Sequence, residues 1–155
     1  MQNFTAPYLQ AIVLPGRSPA VALEGSVWLP CREASASQAR VLLRTLLAQL
    51  ESPELDWCNA ELVASELVTN AVIHGSGRSG GLIFVRFEGS VEQLRIEVHD
   101  SSRALPTVQS ASLDDEGGRG LHLVELLGAA WGSEGSDVGL SKRVWAIVRP
   151  DRNVP

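Results

Sequence analysis

Glu66, Asn70 and His74 recur every four residues within residues 61–75, a spacing that stacks three polar side chains on one face of an α-helix. The helix is read from apolar residues at 62, 63, 67, 68, 71 and 72, with Gly75 as its C-terminal stop. An unpaired amide or carboxylate between apolar flanks costs roughly 1–3 kcal/mol, and Asn is only a modest helix former, so the seam calls for partners. A solvated polar face would show the same spacing, and the reading therefore depends on what lies downstream. Glu66 is placed to accept a proton from an attacking hydroxyl or water. Asn70, one turn on, can offer its side-chain oxygen to Mg²⁺, a cation that takes few protein ligands and prefers phosphate oxygens. His74 is read as a helix-end residue near the carbonyl terminus rather than a ligand.

Two further candidates follow. Asp100 closes a strand pattern, where a carboxylate can accept a hydrogen bond from the exocyclic amino group of a buried base or can simply serve a turn. Gly118, Arg119 and Gly120 precede an apolar helix. Glycines there let backbone N–H groups approach a phosphate at the positive end of the helix, although a lone Gly-x-Gly is also an ordinary helix start.

The elements that must position these groups are read from period and punctuation. Residues 1–24, with Pro7, Pro15, Gly16 and Pro19, are expected to form a loosely ordered N-terminal extension, and residues 151–155 a tail. Between them, residues 25–150 form one domain. Residues 26–29 suggest a short strand closed by Pro30. Ser35 and Gln38 have capping-box spacing before a helix with Val41, Leu42, Leu46 and Leu50 in register and Arg40 and Arg44 outward. Ser52 and Pro53 read as the start of the helix that carries Glu66. The period then changes to two: residues 82–87, a Gly89-Ser90 turn, and 94–98 with Leu94, Ile96 and Val98 inward and Arg95 and Glu97 outward. Periodicity vanishes from 101 to 116, the pattern of a lid. A helix over 121–127 and strands at 129–131 and 142–148 around a glycine-rich hairpin complete the chain. Helices segregated from antiparallel hairpins predict an α+β, two-layer sandwich with a mixed, mostly antiparallel sheet covered on one face by helices.

Composition narrows the classes of function. The 155 residues are 45% hydrophobic and 20% charged, ordinary for a globular domain. A net charge of −5 argues against a nucleic-acid partner, which demands a basic face. All the positive charge is arginine except Lys142. Cys31 and Cys58 lie far apart with no metal-ligand spacing, as expected of thiols in a reducing compartment. No 18-residue apolar run or leader-like start occurs, so no membrane association and a cytoplasmic location are expected.

Taken in order, these motifs resemble a family. Residues 66–75 resemble the N box of the GHKL ATPase superfamily, the ATP-binding domains of DNA gyrase, heat-shock chaperones, histidine kinases and mismatch-repair proteins. Residues 100–106 resemble its G1 box as found in small bacterial members, and residues 118–124 its G2 box. The similarity runs over residues 26–149 and is greatest to the anti-sigma-factor serine/threonine kinases of partner-switching systems. It implies ATP and Mg²⁺ as cofactors. Glu66 would be the general base, Asn70 the magnesium ligand, and Asp100 the reader of the adenine amino group. Ser102, Gly118, Arg119, Gly120 and Leu121 would complete the nucleotide site, with 101–117 as the lid. The G1 box here has Ser101, Ser102 and Arg103 in place of the wider pattern's glycines. Where many relatives carry a Thr beside the adenine, this chain reads Ser141-Lys142-Arg143.

The resemblance further implies a kinase that phosphorylates Ser or Thr of an antagonist protein and binds a sigma factor, with homodimerisation common among free-standing relatives. A catalytically silent, nucleotide-gated binding module is the alternative. The ATP domain of a sensor histidine kinase is the weaker reading, since these residues hold no dimerisation segment or phospho-acceptor domain.

Overall fold

In the computed structural model, the residues described are 21–74, 81–102, 119–127 and 130–152, with the backbone alone for 119 and 120. The strands are β1 (Leu23–Pro30), β2 (Leu55–Asp56), β3 (Leu82–Gly89), β4 (Leu94–Asp100), β5 (Ala130–Gly135), β6 (Lys142–Val148) and β7 (Asp151–Arg152). The helices are α1 (Ser35–Ala48), α2 (Cys58–His74) and α3 (Arg119–Leu126). The main sheet has the order β1-β3-β4-β6-β5, and each of its ladders is antiparallel. The helices cover one face, α2 packing between α1 and α3 and against β3, β4 and β6. This is the expected two-layer α+β sandwich, although a mixed sheet was expected and the described one is antiparallel throughout.

Alternation decides which side chains meet the helices. Leu94, Ile96 and Val98 from β4 and Val144, Ala146 and Val148 from β6 join Leu42, Leu43, Leu46, Val63, Leu67 and Val68 from α1 and α2 in one core. Gly25 sits where β1 passes under α1: a Cβ there would lie 2.7 Å from Leu46 Cδ1. At the β3–β4 turn the strand runs through Gly89, and the Ser90 N–H donates to the Gln93 carbonyl at 2.9 Å.

Three local expectations differ. The Ser35–Gln38 capping box does not form. Ser35 is buried and donates its hydroxyl to the Pro30 carbonyl, and the N–H groups at the start of α1 are met by carbonyls of the preceding turn, Ser35 N to Arg32 O at 3.0 Å among them. The helix carrying Glu66 begins at Cys58, not at Pro53, because Leu55 and Asp56 pair with Asp151 and Arg152. Asp56 Oδ1 then accepts from Cys58 N at 2.8 Å, and Asn59 donates to Asp151 at 2.9 Å. Asp151 and Arg152, expected in a tail, are thus strand residues. Leu23 and Glu24, expected in the extension, open β1; residues 1–20 lie outside the described residues. Cys31 is half-buried, its Sγ 3.6 Å from the Val72 carbonyl, and Cys58 is exposed; the two are not joined in a disulfide.

The outer face of the sheet is less solvated than alternation alone suggests. Glu97 points outward as expected yet is only 5% exposed, roofed by a polar cluster. Arg95 donates to it at 2.8 Å, Arg86 at 3.2 Å, and His99 Nε2 lies 3.3 Å away. His99 Nδ1 in turn meets Ser136 Oγ at 2.9 Å, and Asp137 bridges toward Arg86 and Arg143. Burial pushes the Glu97 carboxyl up, but the hydrogen bonds from His99 and Arg95 and the charges of Arg95 and Arg86 bring it down to about 2. A depressed carboxylate stabilises the fold above its unfolded pKa and loses that contribution as pH falls toward its folded value. Glu97→Gln is therefore expected to cost about 1–3 kcal/mol at pH 7, measured by urea unfolding, with the gap to the parent closing between the ordinary carboxylate range and pH 2.

Candidate functional site

α2 is held from one side. Arg44 of α1 forks onto Glu61, with Nη2 2.7 Å and Nε 3.0 Å from the carboxylate. Arg40 donates to Ser65 Oγ at 2.8 Å. Ala60, Val63, Ala64, Leu67, Val68 and Ala71 face the core. With those two flanks occupied, helical geometry leaves Glu66, Asn70 and His74 on the flank away from α1. Glu66 and Asn70 are half-buried and His74 exposed. Neither Glu66 nor Asn70 has a hydrogen-bond or ion-pair partner among the described residues. Burial alone pushes the Glu66 carboxyl up from its ordinary value, toward the range useful to a general base.

Asp100 ends β4 on the inward phase and is 3% exposed. Its Oδ1 accepts from Ser102 N at 2.7 Å, and its backbone carbonyl accepts from Ser141 N at 3.0 Å. Its Oδ2 lies 3.9 Å from Lys142 Nζ. Burial raises the Asp100 carboxyl, and the Ser102 N–H and the charges of Lys142, His74 and His99 oppose the rise without cancelling it. α2, which carries the seam, packs against β4 and β6, the strands that hold Asp100 and Lys142.

α3 packs on α2 and β5, with Leu121 and Val124 buried beneath it. Arg119 and Gly120 form its first turn, whose backbone N–H groups have no partner within the helix itself. Gly118 lies outside the described residues, as do Gly75, residues 76–80 and lid residues 103–117. Ser102, the last described residue of the lid, is tied to Asp100. Among the described residues no cluster of three or more His, Cys, Asp or Glu is assembled.

Lys142 is a buried neighbour of Asp100 that the sequence reading does not single out. The ladder pairs it directly with Asp100 and sets it in phase with Val144, Ala146 and Val148, so it is buried on the helix-facing side. Ser141 and Arg143, its neighbours, are exposed and on the outer face respectively. The signal was present: a lysine on the apolar phase of an alternating strand. A depression of about 420 Å³ lined by Val91, Glu92, Gln93, Arg149, Pro150 and Arg152 sits at the opposite end of β4 and shares no residue with this cluster.

Comparison with known proteins agrees with the fold. Residues 29–134 match the model of the histidine kinase-like ATPase domain. No curated protein matches. Among solved structures, the chain is similar to the histidine kinase domain of the blue-light activated histidine kinase from Erythrobacter litoralis EL346, at 22% identity and a TM-score of 0.44. The match covers 86% of this chain and 65% of that one, so the chain spans less than two thirds of that structure's length.

The half-buried carboxylate of α2 carries a stability consequence. A carboxyl raised in the fold penalises the native state above that raised pKa and not below the unfolded value. Glu66→Gln should raise the thermal unfolding midpoint slightly at pH 7, and calorimetric scans at descending pH should show the difference vanish once both states are protonated.

Proposed function

The chain belongs to the histidine kinase-like ATPase domain family, and from that membership we propose that it is an ATP- and Mg²⁺-binding regulatory protein kinase of the anti-sigma-factor type. It phosphorylates Ser or Thr of an antagonist protein and binds a sigma factor in a partner-switching system. The observation that carries this reading is the polar seam of α2, Glu66 and Asn70 half-buried without partners among the described residues, on a helix packed against the strand that ends in the buried Asp100. An adenine nucleotide fits the described residues. Asp100 offers a buried carboxylate whose Oδ2 is not the oxygen taken by Ser102, and Glu66 and Asn70 stand half-buried without partners among the described residues.

Each residue then has a task. Asp100 accepts from the adenine amino group, with Ser102 fixing its carboxylate. Asn70 holds the metal. Gly118, Arg119, Gly120 and Leu121 shape the phosphate side at the start of α3. Glu66 takes the proton of the attacking hydroxyl, helped by burial that raises its basicity. Bound ATP supplies the phosphoryl group, and positioning and charge neutralisation do the remaining work. Leu62 and Ile73, exposed on α2 beside the seam, favour a protein partner docking close to the nucleotide. That same observation supports the second reading, a catalytically silent module whose docking surface is gated by nucleotide. No described helix is long and apolar enough to cross a membrane, and we place the protein in the cytoplasm with its sigma factor, in contact with protein rather than nucleic acid; a homodimer is part of the proposal.

Glu66→Gln separates the two readings. Phosphotransfer from ATP to the antagonist should fall about 100-fold or more, while calorimetric affinity for Mg²⁺–ATP stays close to the parent's. Transfer that survives the substitution, or its absence from ATP-binding parent protein with every antagonist tried, removes the kinase reading. The raised carboxyl of Asp100 adds a pH signature. It protonates at a higher pH than an exposed Asp, so ATP affinity should begin to fall on acidification before the ordinary aspartate range is reached.

A further inference from the structure

His99 is completely buried although it lies on the outer phase of β4, away from the helices. Both ring nitrogens are engaged, Nε2 3.3 Å from Glu97 Oε2 and Nδ1 2.9 Å from Ser136 Oγ. Glu97, also gripped by Arg95 and Arg86, is an ionised carboxylate and can only accept. In the neutral ring Nε2 therefore carries the proton, and Nδ1 accepts from the Ser136 hydroxyl. Asp137 Oδ1, at 3.9 Å from Nδ1, is beyond hydrogen-bond reach. The Phe84 ring packs T-shaped against the imidazole, with centroids 5.3 Å apart.

Ser136 opens the turn between β5 and β6, and that turn is tied twice to the end of β4. On the outer face Ser136 holds His99, and along the backbone Ser141, the last turn residue, donates its N–H to the Asp100 carbonyl at 3.0 Å. Within the turn, Ser136 N donates to the Ser141 carbonyl at 3.4 Å, so the two ties meet in one pair of residues. The last residue of a strand is where a ladder opens first, and Asp100 stands at that place. We propose that His99 is a positioning residue for Asp100, with Ser136 as its partner: by locking the β5–β6 turn onto β4, they hold the Asp100 carboxylate where it accepts from the 6-amino group of adenine. The inference rests on the ATP-binding reading above and deepens it by naming residues on the far face of the sheet that control the base contact. His99 acts through the backbone and does not touch the nucleotide.

One arm of the test uses the full chain without nucleotide. Heteronuclear NMR of the imidazole should find the His99 proton on Nε2 and none on Nδ1. Amide exchange at Ser141 should be about tenfold faster in Ser136→Ala than in the parent. The other arm reads a ligand atom. ATP and purine riboside triphosphate, which has hydrogen in place of the 6-amino group, are titrated calorimetrically against the parent, Ser136→Ala, His99→Leu and His99→Gln, with circular dichroism to check each fold. The parent should prefer ATP about tenfold. Ser136→Ala and His99→Leu should lose most of that preference, and His99→Gln, whose amide can donate to Glu97 and accept from Ser136, should regain part of it. A merely structural His99 would change the melting temperature and both affinities together, leaving their ratio as in the parent. A proton on Nδ1, Ser141 exchange unchanged in Ser136→Ala, or a full preference for ATP in folded Ser136→Ala each overturns the role of His99. Failure of the parent to bind ATP overturns the proposed function instead, and the nucleotide-free arm reports on the His99–Ser136 tie separately.

Discussion

Every buried ionisable side chain among the described residues belongs to the paired strands β4 and β6: Glu97, His99 and Asp100 on one, Lys142 on the other. The sheet is arranged around this constraint. A strand alternates its side chains between two faces, and β4 carries charge on both. Toward the helices it ends in Asp100 and toward the outside it holds Glu97 and His99. Each charge is answered by a neighbouring strand in register, Arg86 across from Glu97 on β3 and Lys142 across from Asp100 on β6. A slip of one residue would turn Asp100 outward and carry Glu97 into the apolar core. The polar contacts thus specify the same register that the apolar side chains prefer.

α2 meets that register from above. Its α1 flank is fixed by Arg40 and Arg44, its core flank by alanine, valine and leucine, and its third flank is left polar. The small core residues Ala60, Ala64 and Ala71 let the helix lie close to β4 and β6. In stability terms, Glu66 and Asn70 are poor choices for such a position, since neither gains a partner from the described chain. Under the proposed function their presence would be a cost carried for the nucleotide, as is common where function and stability compete.

The fold class was legible because the change of period from 3.6 to 2 at residue 82 is strong and both kinds of element are long. Asp100 and the α2 seam were legible because residue type and spacing both depart from what packing alone would select. What escaped notice depended on partners distant in the sequence. Pro53 looked like a helix start because nothing local reveals that Leu55 and Asp56 pair with Asp151 and Arg152. Ser35 looked like a cap because its buried acceptor, the Pro30 carbonyl, is supplied by the path of the chain. Glu97 looked solvated because alternation gives the face of a side chain but not what roofs it. Lys142 is read only as part of the Ser141-Lys142-Arg143 run, whereas the phase of its own strand is what turns it inward.

The small β2–β7 ladder has a dynamic meaning. Asn59 and Asp151, joined beside it, are 92 positions apart, and such a closure gains nothing until the intervening sheet has brought them together. Only two residue pairs and a few polar contacts then hold it, against the long ladders at the centre of the sheet. Amide exchange at Leu55 and Asp56 is accordingly expected through a shallow local opening, and at the β3–β4–β6 centre only with global unfolding. Such an opening would free the segment before α2 while the helix itself stays clamped, its start held by buried Trp57 and Ala60 and by the Arg44–Glu61 pair.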